Sequence, residues 1–214
     1  MKLGVVTGML AEAKLLDGLG HDVVSGGGDP ASTAAKIEQL VQGGATHLVS
    51  FGIAGALDPA LKPGDLLLGP VVVMPDGSRL EADAEWLARA GHALPQARAL
   101  PIAAASTAIA TVAAKAALHQ SSKAAAIDME SHHVALAARK YGLPFLVLRA
   151  IADTAADDLP PAALVGLNKE GRPAIGAVLL SLLKNPGQLP ALIRVASRSR
   201  VALKALLGGR AGLL

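Results

Sequence analysis

The chain has 214 residues, of which 52% are hydrophobic and 2% aromatic, and it contains no cysteine. The lack of cysteine excludes a disulfide scaffold, a cysteine nucleophile and thiolate metal sites, and it favours a reducing, cytoplasmic compartment. The net charge of +3 is small and aromatic rings are few, so nucleic acid is not an expected partner.

Short β-branched segments alternate with Ala-rich segments of helical period, which is typical of an α/β fold with helices on both faces of a mostly parallel sheet. The first strand, residues 3–7, does not resemble a signal peptide, and no apolar run approaches the ~20 residues that cross a bilayer. Further strands are predicted over 22–25, 46–51, 66–68, 71–74, 99–105, 124–128 and 145–151. Helices are predicted over 11–19, 30–41, 83–93, 109–119 and 131–141, and beyond residue 161 with breaks at Gly171-Arg172-Pro173 and Asn185-Pro186-Gly187. Residues 52–59 are predicted as a loop, and residues 66–74 as an antiparallel excursion.

Three local patterns argue against other enzyme classes. The turn Gly26-Gly27-Gly28-Asp29-Pro30-Ala31 matches a dinucleotide-binding turn, but the next predicted strand ends at Phe51 without the acid that would hold a ribose. We therefore expect only a tight turn there. His132 and His133 are adjacent and point in different directions on a helix, so no metal site is predicted. No G-x-S-x-G elbow of a serine hydrolase is present.

Four polar residues remain: Glu12, Glu130, Arg149 and Asp153. They lie near the carboxyl ends of predicted strands, where open α/β sheets bind ligands. Arg149 and Asp153 belong to the most apolar segment of the chain, where burying a charge without a partner is costly. Spacing alone leaves two interpretations open, a ligand site or a structural ion pair between Arg149 and Glu130.

Two segments containing these residues resemble the paired signature of the nucleoside phosphorylase and methylthioadenosine nucleosidase superfamily. They are Ala126-Ile127-Asp128-Met129-Glu130 and the stretch from Tyr141 to Asp153. The start of the chain through Glu12 and residues 52–65 extend the resemblance, which covers most of residues 1–157, whereas the C-terminal region matches poorly. The resemblance implies a single-domain three-layer α/β/α fold, no cofactor apart from phosphate as a possible co-substrate, and a homo-oligomer.

The resemblance also implies a role for each polar residue. Breaking an N-glycosidic bond needs a donor to the departing base, stabilisation of a cationic sugar and an oxygen nucleophile. Asp153 would contact the base and favours adenine, Glu130 would accept hydrogen bonds from ribose hydroxyls, and Arg149 and Glu12 would face the nucleophile. The substrate-binding residues that it implies are Gly8, Phe51, Gly52, Ile53, Ala54, Gly55, Ile109 and Met129.

The sequence departs from the family at the nucleophile and at the base. Phosphorylases carry an Arg and a hydroxyl residue where this chain has Ser50 and Ile53, and the nucleosidases also keep that hydroxyl. Glu12 would repel phosphate unless it were protonated or paired, which favours hydrolysis over phosphorolysis without excluding the latter. The purine-stacking Phe of relatives is replaced by aliphatic residues within 106–110, which predicts a pocket open to a large apolar group at the sugar's 5′ end.

The last segment, residues 186–214, is predicted as a basic amphipathic tail that follows a catalytic domain over residues 1–185. It would pack on the domain, on another subunit or on a membrane surface. The tail, the short length of the chain and the sequence Asp-Met-Glu-Ser-His-His at residues 128–133 resemble the hopanoid-associated phosphorylase branch. This resemblance implies release of adenine from the lipid nucleoside adenosylhopane. A methylthioadenosine or S-adenosylhomocysteine nucleosidase and a nucleoside-binding protein that releases no base are the alternatives.

Overall fold

A single mixed sheet forms the centre of the fold. The structure is a computed structural model that describes residues 1–27, 29–165, 171, 172 and 174–213. Within these described residues the sheet has ten strands. They are β1 (Leu3–Thr7), β2 (Asp22–Ser25), β3 (His47–Ala56), β4 (Leu66–Leu68), β5 (Val71–Val73), β6 (Arg79–Glu81), β7 (Arg98–Ala99), β8 (Ile102–Ala104), β9 (Ala126–Asp128) and β10 (Phe145–Asp153).

The long strand β3 organises the sheet because it has three neighbours. It pairs in parallel with β1 and β10, and at its end, through Gly55 and Ala56, antiparallel with β9. From β9 the sheet continues through β8 and β5 to β6, and from β10 through β4 to β7, while β2 pairs with β1. Most of the pairs are parallel, so the mixed, mostly parallel sheet predicted from the sequence is confirmed.

Helices cover both faces of the sheet, as the alternation of core residues shows. Val5 belongs to a cluster with Ala202 and Leu206, whereas the next residue, Val6, belongs to a cluster with Ile37. Adjacent strand residues point to opposite faces, so both faces are buried. The helices are α1 (Leu10–Ala13), α2 (Pro30–Gln42), α3 (Ala84–Ala93), α4 (Val112–Ser122), α5 (Ser131–Tyr141), α6 (Pro161–Leu164), α7 (Ile175–Lys184) and α8 (Leu189–Gly209), with 3-10 turns at Lys14–Leu16, Pro186–Gln188 and Arg210–Leu213.

The C-terminal helices differ in how much of their surface is covered. Helix α8 packs on β10, β3 and β4 and buries Ala202 and Leu206, whereas no residue of α7 is buried among those described. No helix in the described part of the chain combines the length and the apolar composition that crossing a membrane requires.

Several predicted boundaries are wrong. The predicted loop over 52–59 is strand as far as Ala56, and α1 ends at Ala13 where a helix to residue 19 was expected. The predicted helix over 109–119 begins only at Val112, because the Thr111 hydroxyl accepts a hydrogen bond from the Ala114 N–H and caps it.

The two strands predicted within residues 66–74 exist, but the antiparallel excursion predicted for them is wrong because they do not pair with each other. Strand β4 pairs with β10 and β7, while β5 pairs with β6 and β8. Helix α5 has the predicted limits, ending at Gly142, which takes a left-handed φ of 65° that glycine adopts without strain. Gly28 of the predicted glycine turn, Pro173 of the predicted break, and residues 166–170 of the predicted helical region lie outside the described residues.

Candidate active site

Two glycines of β3 stand beside the two charged residues of β10. In the parallel register Gly52 is opposite Arg149 and Gly55 is opposite Asp153, with a register shift between Ile151 and Asp153. A Cβ atom at Gly52 would lie 2.5 Å from Nη1 of Arg149, and one at Gly55 would lie 3.2 Å from the Asp153 carboxylate oxygens. The glycines therefore leave the space that these two side chains occupy.

A cavity of about 550 Å³ opens beside the ends of these strands. Its lining combines acidic groups with a mostly apolar wall, as is common for small-molecule sites. The lining residues are Gly8, Met9, Glu12, Gly27, Ile53, Ala54, Gly55, Ser106, Thr107, Ala108, Ile109, Lys115, Ile127, Asp128, Met129, Glu130, Ala152, Asp153, Leu159, Ala163 and Leu164.

Arg149 is fully buried behind the cavity and is held mainly by Asp128. Its Nε donates to Asp128 Oδ2 at 2.6 Å, and its Nη2 donates to Ser50 Oγ at 2.5 Å. Glu130 is a more distant partner, with 3.6 Å between Arg149 Nη2 and Glu130 Oε2. Nη1 is buried and donates to no described group. The principal structural ion pair is thus Arg149 with Asp128, and the pair expected with Glu130 is secondary.

Glu12 is buried and its carboxylate is fixed by backbone donors. Oε2 accepts hydrogen bonds from the N–H groups of Gly8 and Met9, and Oε1 accepts one from the N–H of Ile53, each at 2.8 Å. Burial raises the pKa of Glu12, although these hydrogen bonds and the nearby Arg149 favour the ionised form. A Cβ atom at Gly52 would lie 2.7 Å from Glu12 Oε1, so this oxygen and Nη1 of Arg149 together fill the space beside Gly52.

Glu130 is a second carboxyl group of the site whose pKa is raised. Burial raises its pKa to about 8; the Arg149 charge lowers it, whereas Asp128 and Glu12 raise it. A single guanidinium therefore stands among three carboxyl groups, and they cannot all be ionised at neutral pH without a net negative charge in a buried place.

Asp153 is paired with a lysine from α4. Lys115 has 1% of its side chain exposed and donates to Asp153 Oδ2 at 2.5 Å. It also donates to the carbonyl oxygens of Thr154 and Asp157, each at 2.9 Å. Burial raises the pKa of Asp153, and the ammonium of Lys115 opposes that rise. The carboxyl group borders the cavity and can exchange a proton with a bound ligand.

No set of three or more metal-ligating side chains occurs in the described part of the chain. The rings of His132 and His133 lie 3.8 Å apart, and burial lowers the pKa of His133 to about 4. His132 is buried and His133 is half-buried, and their rings contact each other at the start of α5, so the expectation that they point in different directions is wrong; neither lines the cavity.

The sequence matches the model of a known protein family. The sequence model of the phosphorylase superfamily matches residues 23–184, which is most of the chain. The chain belongs to the phosphorylase superfamily. No curated protein matches it significantly in sequence. Membership makes the chain an enzyme of the nucleosidase and phosphorylase type; the superfamily predicted from the sequence is confirmed, whereas its hopanoid-associated branch stays a prediction.

Solved structures of low sequence identity share the fold of this phosphorylase-superfamily chain. The 5′-methylthioadenosine/S-adenosylhomocysteine nucleosidase from Neisseria meningitidis, in complex with methylthio-immucillin-A, has a TM-score of 0.74 at 15% identity, with 99% of this chain and 97% of that one covered. The Streptococcus pneumoniae enzyme of the same name, with a transition-state inhibitor, has a TM-score of 0.71 at 19% identity, with 100% of both chains covered. Futalosine hydrolase of Helicobacter pylori has a TM-score of 0.68 at 18% identity, covering 98% of this chain and 97% of that one.

Most of the site residues predicted from the sequence border the cavity. Arg149 and Gly52 lie directly behind it, whereas Phe51 is fully buried in the core and is absent from the lining. The residues from the sequence prediction that line the cavity are Gly8, Glu12, Ile53, Ala54, Gly55, Ile109, Met129, Glu130 and Asp153.

Two charged residues of the site, Asp128 and Lys115, were not predicted from the sequence. Asp128 could have been found, because an acid ending a buried strand two residues before Glu130 needs a partner. Lys115 gave no such signal, since a single lysine in an Ala-rich helix usually points to solvent. Only the packing of α4 against the end of β10 brings it to Asp153.

Proposed function

We propose that this enzyme cleaves the N-glycosidic bond of an adenine nucleoside and releases adenine. The observation that carries the proposal is that one cavity is lined by Asp153, Glu130 and Glu12, with Arg149 buried behind the last two. Family membership and the shared fold of nucleosidases crystallised with nucleoside-analogue inhibitors support the same reaction class.

Asp153 would deliver a proton to the departing base. Cleavage of the bond between C1′ and N9 leaves its electron pair on the purine, and protonation at N7 stabilises that leaving group. The raised pKa of Asp153 favours a carboxyl group that can hold the proton, and Lys115 fixes Oδ2. An Asp can also accept a hydrogen bond from the exocyclic amine, which supports adenine as the base.

Glu130 would stabilise the sugar. Its carboxylate can accept hydrogen bonds from ribose hydroxyls and place negative charge beside the developing cation at C1′. With its pKa near 8 in the free enzyme, Glu130 becomes ionised more readily once hydroxyl donors contact it. Met129 also lines the cavity and would contact the sugar.

Water is the nucleophile that the charges support. Glu12 lines the cavity, and its carboxylate would take a proton from a water there as the water oxygen adds to C1′, while the buried charge of Arg149 behind it favours the ionised carboxylate. A phosphate dianion at that point would meet the carboxyl groups of Glu12, Glu130 and Asp128 around the single guanidinium. Ile53, which lines the cavity, offers no hydroxyl to a phosphate.

The substrate in this proposal is the lipid-linked nucleoside adenosylhopane. Ala108, Ile109, Leu159, Ala163 and Leu164 form an apolar part of the wall next to the hydroxyl residues Ser106 and Thr107, and Leu164 is also exposed at the surface. Such a wall suits a large apolar group at the 5′ end of the sugar. Methylthioadenosine or S-adenosylhomocysteine is the second candidate, favoured by the likeness to the nucleosidases.

Adenine release tests the proposal directly. The enzyme is incubated with adenosylhopane, methylthioadenosine or S-adenosylhomocysteine, with and without phosphate, and adenine is measured by chromatography. We expect adenine from adenosylhopane at a rate independent of phosphate, with a free sugar as the second product. A strict need for phosphate would establish phosphorolysis instead. Turnover of the soluble nucleosides alone would favour the second candidate, and no adenine from any nucleoside would refute the proposal.

A further inference from the structure

Helix α7 presents an apolar surface that nothing in the described part of the chain covers. Ile175 is 68% exposed and Leu183 is 79% exposed, and Leu179 and Leu180 are exposed as well. We call these four residues the α7 face. Their spacing of four, five and eight residues places them on one side of the helix. Contiguous exposed apolar residues of this kind mark an interaction surface.

The chain segment that contains the α7 face is cationic. Residues 174–213 contain six Lys and Arg and no Asp or Glu. Four of them are exposed and form no ion pair with any described residue: Lys184, Arg194, Arg200 and Lys204. A surface that combines exposed leucines with unpaired cations and no acid is complementary to an anionic, apolar partner.

Helix α7 is connected to the cavity lining through its neighbours. Leu164 of α6 lines the cavity and is itself exposed, and α6 contacts α7. The Leu10 N–H donates to the carbonyl oxygen of Gly171, four residues before α7, at 3.1 Å, next to Gly8 and Met9 of the lining. The elements that border the cavity thus contact both α7 and the segment that precedes it.

We propose that the α7 face and the cations of α7 and α8 dock on the surface of a bilayer containing anionic phospholipid, with the cavity mouth at that surface. The apolar side chains would enter the acyl boundary while Lys184 and Arg194 contact headgroup phosphates. That the docked cavity receives a lipid-linked nucleoside rests on the proposed function. A second copy of this chain fits the surface less well, because a twofold contact would bring the same unpaired cations together.

The test is co-sedimentation of the full chain with vesicles of phosphatidylcholine alone or mixed with phosphatidylglycerol. We expect binding to the mixed vesicles that weakens as salt is added, and little binding to phosphatidylcholine. The double variant Leu179→Glu/Leu183→Glu should bind about tenfold more weakly or worse, since it places charge in the apolar face. The variant Lys184→Glu/Arg194→Glu should bind more weakly as well.

The matched control is Leu136→Glu, which changes an exposed leucine on α5 and should bind vesicles like the wild type. Adenine release from a soluble nucleoside should be the same in all variants, which shows that each is folded. Failure of the wild type to bind mixed vesicles, or unchanged binding by the α7 double variant, would overturn the docking surface. So would a dimer in solution that the α7 variant dissociates. Vesicle binding without any adenine release would leave the docking surface standing and refute only the proposed function.

Discussion

The pair of Lys115 and Asp153 allows structural and chemical roles to be separated in one double-mutant cycle. Lys115 gives its three donors to Asp153 Oδ2 and to the carbonyl oxygens of Thr154 and Asp157. Lys115→Met keeps the length of the side chain and removes its charge, which leaves the carboxyl group without its cation. Asp153→Asn keeps the shape of the acid and leaves the buried ammonium with neutral acceptors only.

Each single variant should lower the free energy of unfolding by about 3 kcal/mol, which is the low end of the cost of breaking a buried ion pair. The low end applies because Asp153 borders the cavity and can take a proton, and because two carbonyls still hold Lys115. The double variant should lose about 3 kcal/mol and not about 6, since the second change removes the charge that the first left unpaired. Urea unfolding followed by the fluorescence of Trp86, the single and fully buried tryptophan, measures all four proteins.

Activity should behave differently from stability. Asp153→Asn should reduce adenine release by about 10²–10⁴-fold, and the double variant should stay as slow, because the proton donor is missing in both. In Lys115→Met the pKa of Asp153 should rise further, so the alkaline decline of the rate should move to higher pH. Lys62→Met, at the exposed pair with Asp65, is the control and should change stability by less than about 1 kcal/mol. Additive losses of stability, or a nearly wild-type rate for Asp153→Asn, would refute the reasoning.

Three further predictions concern the other half of the site. Asp128→Asn should lower the free energy of unfolding by about 3–5 kcal/mol in urea titrations, because it strips the buried guanidinium of its main partner, whereas Asp22→Asn at an exposed pair should cost about 1 kcal/mol or less. If ionised Glu130 is required, kcat/KM should rise with pH through about 8, and Glu130→Gln should lose this dependence. Because the pKa of Glu130 is higher in the folded than in the unfolded chain, the contribution of Glu130 to the free energy of unfolding should fall as pH increases from 4.5 to about 8. Gly52→Ala should abolish most adenine release, since its Cβ would lie 2.5 Å from a guanidinium nitrogen, whereas Gly91→Ala, with open space around it in α3, should leave the rate unchanged and raise stability by about 0.5–1 kcal/mol.

Local patterns in the sequence were sufficient to predict the fold class and the limits of helix α5. The alternation of β-branched and Ala-rich segments predicted the α/β class, which is confirmed, and helix α5 has its predicted limits because Gly142 ends it. The carboxyl ends of strands also predicted that Glu130 and Asp153 would lie near one ligand site, and both border the same cavity. These features depend on contacts between neighbouring residues or on a general property of parallel sheets.

Features that depend on distant packing were not predictable. Residues 52–56 contain two glycines, which weaken strand propensity, so they indicated a loop. They extend β3 because their backbone pairs with β10. Glycine is needed at 52 and 55 because the side chains of Arg149 and Asp153 occupy the space beside them, and this constraint is visible only in the register with β10. The pairing of Lys115 with Asp153 links residues 38 positions apart, and no local pattern encodes it.

The charge balance around Arg149 connects the fold to the choice of nucleophile. Asp128 holds Nε and Ser50 holds Nη2, so the protein itself occupies the donors that would otherwise form a fork for a phosphate. Nη1 is left without a described partner, but it is buried, and it and Glu12 Oε1 together fill the space beside Gly52. The charges of three carboxyl groups, Asp128, Glu130 and Glu12, act on this one guanidinium, and a phosphate dianion would add two further negative charges. Under the proposed function a neutral water avoids that repulsion, so the contacts that make a buried arginine tolerable in this sheet are also the ones that support hydrolysis in the proposal.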